Sequence, residues 1–185
     1  TGARSSPAIS NGTSGRLINI LLQRALDVGK GARTHTGVAH GRTSVAGLAV
    51  GLAGRIFKTL SGRGVLVVGA GEAAETFARL VSSISDVRLC VVNRSEPKAR
   101  FLAEAVGGVA QPFDQLTAEL RRADIAVFST GSPDVLLSGE TVRRMMRERE
   151  GRPLLLVDLS VPHNVDPAAH GIEQRRVVAV HGSVE

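Results

Sequence analysis

From Gly64 onward, short runs of Val, Leu, Ile and Ala alternate with stretches of helical spacing, and turn residues separate them. No other feature constrains the fold as strongly. The run "VLVV", Val65–Val68, is too short for a helix and apolar at every position, so it reads as a strand buried on both faces. The pattern then predicts a helix over Glu72–Ser83, a strand over Val87–Val92, a helix over Glu96–Val106 stopped by Gly107-Gly108, and a short strand over Val109–Pro112. Asp114 caps a helix to Arg122, and Asp124–Ser129 is a strand. Ser138 caps a helix to about Glu150, and Leu154–Val157 and Val177–Val180 are the last strands. Strands alternating with helices require right-handed crossovers, so the expected fold is α/β, a doubly wound parallel sheet.

Two helices are expected upstream. Leu17–Val28 carries apolar residues at helical spacing before Gly29, and Ser44 caps a second helix to about Leu60. Thr1–Gly15 is small and polar and reads as a flexible segment. The expected organisation is therefore a flexible 1–15, a helical linker region over 16–62 and a nucleotide-binding domain over 63–185. In this reading the linker helices join or pack under a further domain, which leaves their apolar faces partly uncovered.

Composition narrows the function classes. Aromatic residues are 3% of the chain, with neither Trp nor Tyr, which suits a parallel sheet covered by helices better than a base-stacking platform for single-stranded nucleic acid. The net charge of +6 is nearly all arginine and forms no long basic block, so it points only weakly to a polyanion. One cysteine, Cys90, allows no intramolecular disulfide and favours a reducing, cytoplasmic compartment. No run is long and apolar enough to predict a membrane span.

The first strand, turn and helix read "VVGAGEAAETF", Val67–Phe77. A backbone that approaches a pyrophosphate cannot carry side chains at the turn. Gly69 permits the bend, Gly71 the close approach, and Ala74 the close packing of helix on strand. Ala70, Glu72 and Ala73 complete the turn, and the helix from Glu72 aims its free N–H groups at the phosphates. A bare β–α bend uses the same residues, so the glycines alone do not decide.

The second strand ends in "NRSEPKAR". A site for a free ribose hydroxyl pair carries Asp or Glu there. This chain has Asn93, Arg94 and Ser95, with Lys98 one helical turn on, which suits a 2′-phosphate. The fourth strand ends in "FSTGSP", where Thr130 and Gly131 suit a loop passing over a ribose. The fifth ends in "LVDLSVPHNVDP", where Asp158 and the Pro162 segment are expected to border the nicotinamide. Cys90 falls inside a strand and reads as a core thiol. His35, His40, His163, His170 and His181 show no metal-ligand spacing, and no nucleophile–base pair is apparent.

Taken in order, "GRLINILLQRALDVGKGARTHT", "VVGAGEAAE", "VVNRSEPKARFLAEAVGG", "ADIAVFSTGSP" and "RPLLLVDLSVPHNVDP" resemble the glutamyl-tRNA reductases over about Gly15–Val180. The resemblance implies a Rossmann-like domain that holds NADPH for reducing glutamyl-tRNA to glutamate-1-semialdehyde, the entry to tetrapyrrole and heme synthesis. It further implies a catalytic cysteine in a separate N-terminal domain, a C-terminal dimerisation region and a homodimer. Neither of those regions has a counterpart in this sequence, so the chain alone is expected to be inactive. His35 and His163 stand where the family usually has Glu and Arg. Two other readings are a stand-alone, non-catalytic NADP(H)-binding module and an oxidoreductase domain of the shikimate dehydrogenase type.

Overall fold

The computed structural model describes residues 41–170, 172 and 177–181. The expected helix over Leu17–Val28, the flexible 1–15 segment, His35 and His40 lie outside the described residues. The elements are α1 (Gly41–Phe57), β1 (Gly64–Val68), α2 (Glu72–Ser82), β2 (Arg88–Val92), α3 (Glu96–Ala105), β3 (Val109–Gln111), α4 (Leu116–Arg122), β4 (Ile125–Phe128), α5 (Gly139–Glu148), β5 (Leu154–Asp158) and β6 (Val177–His181). A 3-10 turn, Phe113–Gln115, precedes α4, and another, Pro167–Ala169, precedes β6.

The six strands form one parallel sheet in the order β3-β2-β1-β4-β5-β6. The chain therefore builds outward from β1 in one direction, returns, and builds outward from β4 in the other. That reversal leaves a crevice at the carboxyl ends of β1 and β4, where open α/β sheets receive ligands.

Alternation along each strand divides the core into two layers. Val65, Val67, Leu89, Val91, Ile125, Val127, Leu155 and Val157 face α1, α2 and α3, packing with Ala74, Phe77, Ala78, Val81, Ala99 and Leu102. Leu66, Val68, Cys90, Val92, Ala126, Phe128, Leu154 and Leu156 face α4 and α5, packing with Leu116, Leu120, Val142, Met145 and Met146. Burial on both faces is why these strands read as unbroken apolar runs.

Three local expectations shift. α1 begins at Gly41, which puts Ser44 inside the helix rather than at its cap, and it ends at Phe57, before Lys58 with its positive φ of 62°. Asp114 sits within a 3-10 turn, and α4 starts only at Leu116. Ser138 does cap α5, its Oγ accepting from the Thr141 N–H at 3.2 Å.

The boundary drawn at residue 62 falls inside one compact unit, Gly41–Glu185. Ala46, Ala49, Ala53 and Phe57 of α1 are buried in the same core layer as Val65 and Phe77. A stripe of alanines at helical spacing lets two helix backbones approach closely, so α1 covers α2 instead of linking away from it.

Candidate functional site

The turn after β1 is built on a steric demand. Gly69 has φ +113°, and a Cβ there would lie 2.0 Å from the Ser129 carbonyl oxygen at the end of β4. The ladder bonds Gly69 N–H to Val92 O and Ser129 N–H to Val68 O, both 2.8 Å, hold these ends together. Only glycine fits between them. Gly71 answers a different need. It precedes α2 in extended conformation, no side chain caps the helix there, and a Cβ on it would meet nothing within 4 Å. An α-helix N-terminus with no side-chain cap presents its positive dipole end to an acceptor from outside. Ala70 and Ala73 are half-buried, and Ala74 is fully buried against the sheet.

Beside this turn lies a cavity of about 250 Å³ lined by Gly69, Asn93, Arg94, Phe113, Thr130, Gly131, Ser132 and Leu136. Five of the residues named from sequence thus meet on one cavity: Gly69, Asn93, Arg94, Thr130 and Gly131. Ala70, Gly71, Glu72, Ala73 and Ala74 stay on the turn and the first turn of α2, outside the lining. Ser95 is the residue before α3, with no cap bond from its side chain, and its carbonyl accepts from Asn93 Nδ2 at 3.1 Å. Lys98 is exposed on α3 and does not line the cavity.

Phe113 and Ser132 had not been singled out. Phe113 directly follows the third strand, at the same carboxyl edge, which was the available signal. Its ring centroid lies 5.7 Å from Arg94 Cζ. Ser132 sits within "FSTGSP", and its Oγ accepts from Arg94 Nη2 at 3.0 Å.

Behind the cavity, the loop after β5 forms a buried polar network. Asp158 is 1% exposed. Its Oδ1 accepts from Ser160 N–H at 3.0 Å, and its Oδ2 accepts from Asn164 N–H at 2.7 Å and Val165 N–H at 2.8 Å. Asn164, fully buried, accepts from the Thr130 hydroxyl at 2.6 Å and donates from Nδ2 to the carbonyls of Ser132 and Asp134, each at 3.0 Å. Ser160 Oγ accepts from Thr130 N–H at 3.1 Å. Asp158, expected to border the nicotinamide, does not line the cavity: its carboxylate turns inward, where backbone donors of its own loop surround it. His163 Nδ1 stands 3.8 Å from Asp158 Oδ2, on the outer side of the same loop.

Cys90 is buried in the layer facing α4. Burial, then the neighbouring Glu119 carboxylate, pushes its thiol up to about 12, so it carries no thiolate at neutral pH.

A family model described as shikimate / quinate 5-dehydrogenase matches residues 51–182. The chain is 41% identical over 150 residues to the glutamyl-tRNA reductase of Sorangium cellulosum, covering 81% of this chain and 28% of that protein. It is 40% identical over 166 residues to that of Alkalilimnicola ehrlichii, covering 90% of this chain and 37% of that one. The chain belongs to the shikimate / quinate 5-dehydrogenase family, and over most of its length it is similar to glutamyl-tRNA reductases. The solved glutamyl-tRNA reductase from Methanopyrus kandleri superposes with a TM-score of 0.69 at 34% identity, over 89% of this chain and 41% of that one. This member of the family thus spans about a third of the length of the curated relatives it matches. Among its described residues, no helix is long and apolar enough to cross a membrane.

Proposed function

We propose that this chain is the NADPH-holding part of a glutamyl-tRNA reductase. In this reading it serves the reduction of glutamyl-tRNA to glutamate-1-semialdehyde in the cytoplasm. The carrying observation is Arg94: a guanidinium at the end of β2, lining a cavity beside the glycine turn, with Phe113 facing it. The residues present fit the cofactor. Open space above Gly71 and the uncapped N-terminus of α2 suit a pyrophosphate. A planar cation at the second strand's end suits a 2′-phosphate, which an acidic residue there would repel. Gly131, with open space above it, and Thr130 suit the passage of a ribose. When bound, NADPH supplies a hydride.

The chain's own residues bind and orient rather than react. Cys90 is a buried, protonated thiol and Asp158 is saturated by backbone donors, so neither offers a nucleophile or base. We infer that the isolated chain does not turn over. Glutamyl-tRNA and a second subunit are partners we assign to the whole reductase, on its relatives' identity alone.

Calorimetric titration with NADPH and NADH tests the cofactor assignment. Charge-assisted bonds from a partly exposed Arg94 should favour NADPH by on the order of tenfold to a thousandfold. Raising salt from about 0.05 to about 0.5 M should narrow the ratio, because the discriminating contact is ionic. Equal affinities for the two dinucleotides would overturn the assignment. Semialdehyde formed from charged tRNA by this chain alone would overturn the inference of inactivity.

A further inference from the structure

Arg94 is held from outside its own segment. An arginine at an exposed strand end has many rotamers, and most of them lead into water. Two contacts select one that lines the cavity. Nη2 donates to Ser132 Oγ at 3.0 Å, and the guanidinium lies over the Phe113 ring. Ser132 is itself fixed. It is 6% exposed, its N–H donates to Thr130 Oγ1 at 3.0 Å, and its carbonyl accepts from the buried Asn164 amide. Asn164 in turn is tied to Asp158. A chain of hydrogen bonds, buried at its inner end and part-buried at Arg94, therefore runs from the end of β5 through the loop after β4 to the arginine after β2.

The partner at the end of that chain is neutral. Arg79, Arg100, Arg121 and Arg122 are each paired with a glutamate, at 2.6 to 2.8 Å. Arg94 has no carboxylate partner among the described residues, and a hydroxyl holds one of its nitrogens without neutralising its charge. Among the described residues, Nε and Nη1 make no hydrogen bond, so their donors remain. That is the arrangement of a cation oriented in advance for an anion that the protein itself does not supply.

We propose that Ser132 is a specificity-determining positioning residue, which holds Arg94 as one wall of the cavity so that its remaining donors meet the 2′-phosphate of the dinucleotide. This rests on the reading of Arg94 given above. Binding then does not have to order the arginine, and the gain falls only on the ligand that carries the phosphate. Loss of the hydroxyl should weaken NADPH by about three- to tenfold and leave NADH unchanged, the range expected for ordering one long side chain.

The experiment is calorimetric titration of wild type, Ser132→Ala, Ser132→Thr, Arg94→Ala and the double variant with NADPH and with NADH, each first shown folded by thermal melting. The expected result is a narrowed NADPH preference in Ser132→Ala, recovery in Ser132→Thr, and no further loss when Ser132→Ala is added to Arg94→Ala. An unchanged preference in Ser132→Ala, beside a lost one in Arg94→Ala, overturns this inference and leaves Arg94's role standing. An unchanged preference in Arg94→Ala overturns the role of Arg94 itself. Equal weakening of both dinucleotides in Ser132→Ala makes the residue a general support of its loop, and the proposal fails.

Discussion

The backbone N–H of Asn164 donates to Asp158 Oδ2 at 2.7 Å, and this bond closes the loop after β5 onto the strand it leaves. The same oxygen takes the Val165 N–H at 2.8 Å. Two donors converging on one buried oxygen need an acceptor there. Asp158→Asn retains the shape but cannot supply acceptors at both oxygen positions. One of the three backbone donors would face an NH₂ group or go unpaired. The expected cost is about 1–3 kcal/mol, read as a lowered midpoint in urea or thermal unfolding. A variant as stable as wild type would contradict this structural role of Asp158.

Gly69→Ala should be among the most damaging small substitutions. It puts a methyl 2.0 Å from the Ser129 carbonyl oxygen at a backbone φ of +113°. The Gly69 and Ser129 amides are each bonded to the neighbouring strand, so relief requires separating β1 from β4 at the cavity. We expect a loss of about 2 kcal/mol or more and no measurable dinucleotide binding. Gly71→Ala, with no protein atom within 4 Å of the added methyl, should melt close to wild type and yet bind dinucleotide more weakly. Equal melting of the two variants would count against this division of roles.

The buried thiol makes a prediction about alkaline pH. Cys90 has its pKa raised from 9.0 to about 12 by burial and by Glu119. Below about 9 the thiol is neutral in both folded and unfolded chains, and its stability contribution is intact. Above that value the unfolded chain releases the proton and the folded chain does not, so stability falls with rising pH up to about 12. The slope approaches about 1.4 kcal/mol per pH unit at most. Arg149, pushed down to about 10 by burial and then by Arg152, acts in the opposite sense above that pH. The difference between wild type and Cys90→Ala isolates the thiol, since the Arg149 contribution cancels. A difference that does not change with pH between 9 and 12 would contradict the burial argument. Thiol reagents at pH 8 should likewise modify the native chain far more slowly than the unfolded one.

Arg149 is 1% exposed, and its guanidinium donates to the carbonyls of Leu120, Arg121, Pro153 and Arg152. It joins the carboxyl end of α4 to the turn before β5, where helix carbonyls lack intrahelical partners. Arg149→Met keeps the apolar stem and strands those acceptors. The expected loss is about 2–4 kcal/mol, by chemical denaturation at neutral pH. Arg149→Lys should recover only part of it, because an ammonium cannot span the same fork of acceptors.

Much of this molecule can be read from local pattern. Period-two burial on both faces made β1, β2, β4 and β5 legible as apolar runs, and the glycine turn at Gly69 followed because no other residue fits a strand end pressed against its neighbour. The family motifs carried the dinucleotide reading, and Arg94 stood out because it occupies a position that an acidic residue would take in an NAD site. Periodicity reports how much of a segment is buried. It does not report which other segment buries it. For that reason α1 reads as part of a linker region, although its alanines belong to the core against α2. Asp158 read as a site residue for a related reason: alternation stops at a strand's last residue, and the loop that follows decides which way the carboxylate turns. The wall of the cavity brings Arg94 after β2, Phe113 after β3 and Ser132 after β4 within reach of one another. That meeting depends on the order of strands in the sheet, which sets neighbours far apart in the chain side by side, and only the tertiary structure decides it.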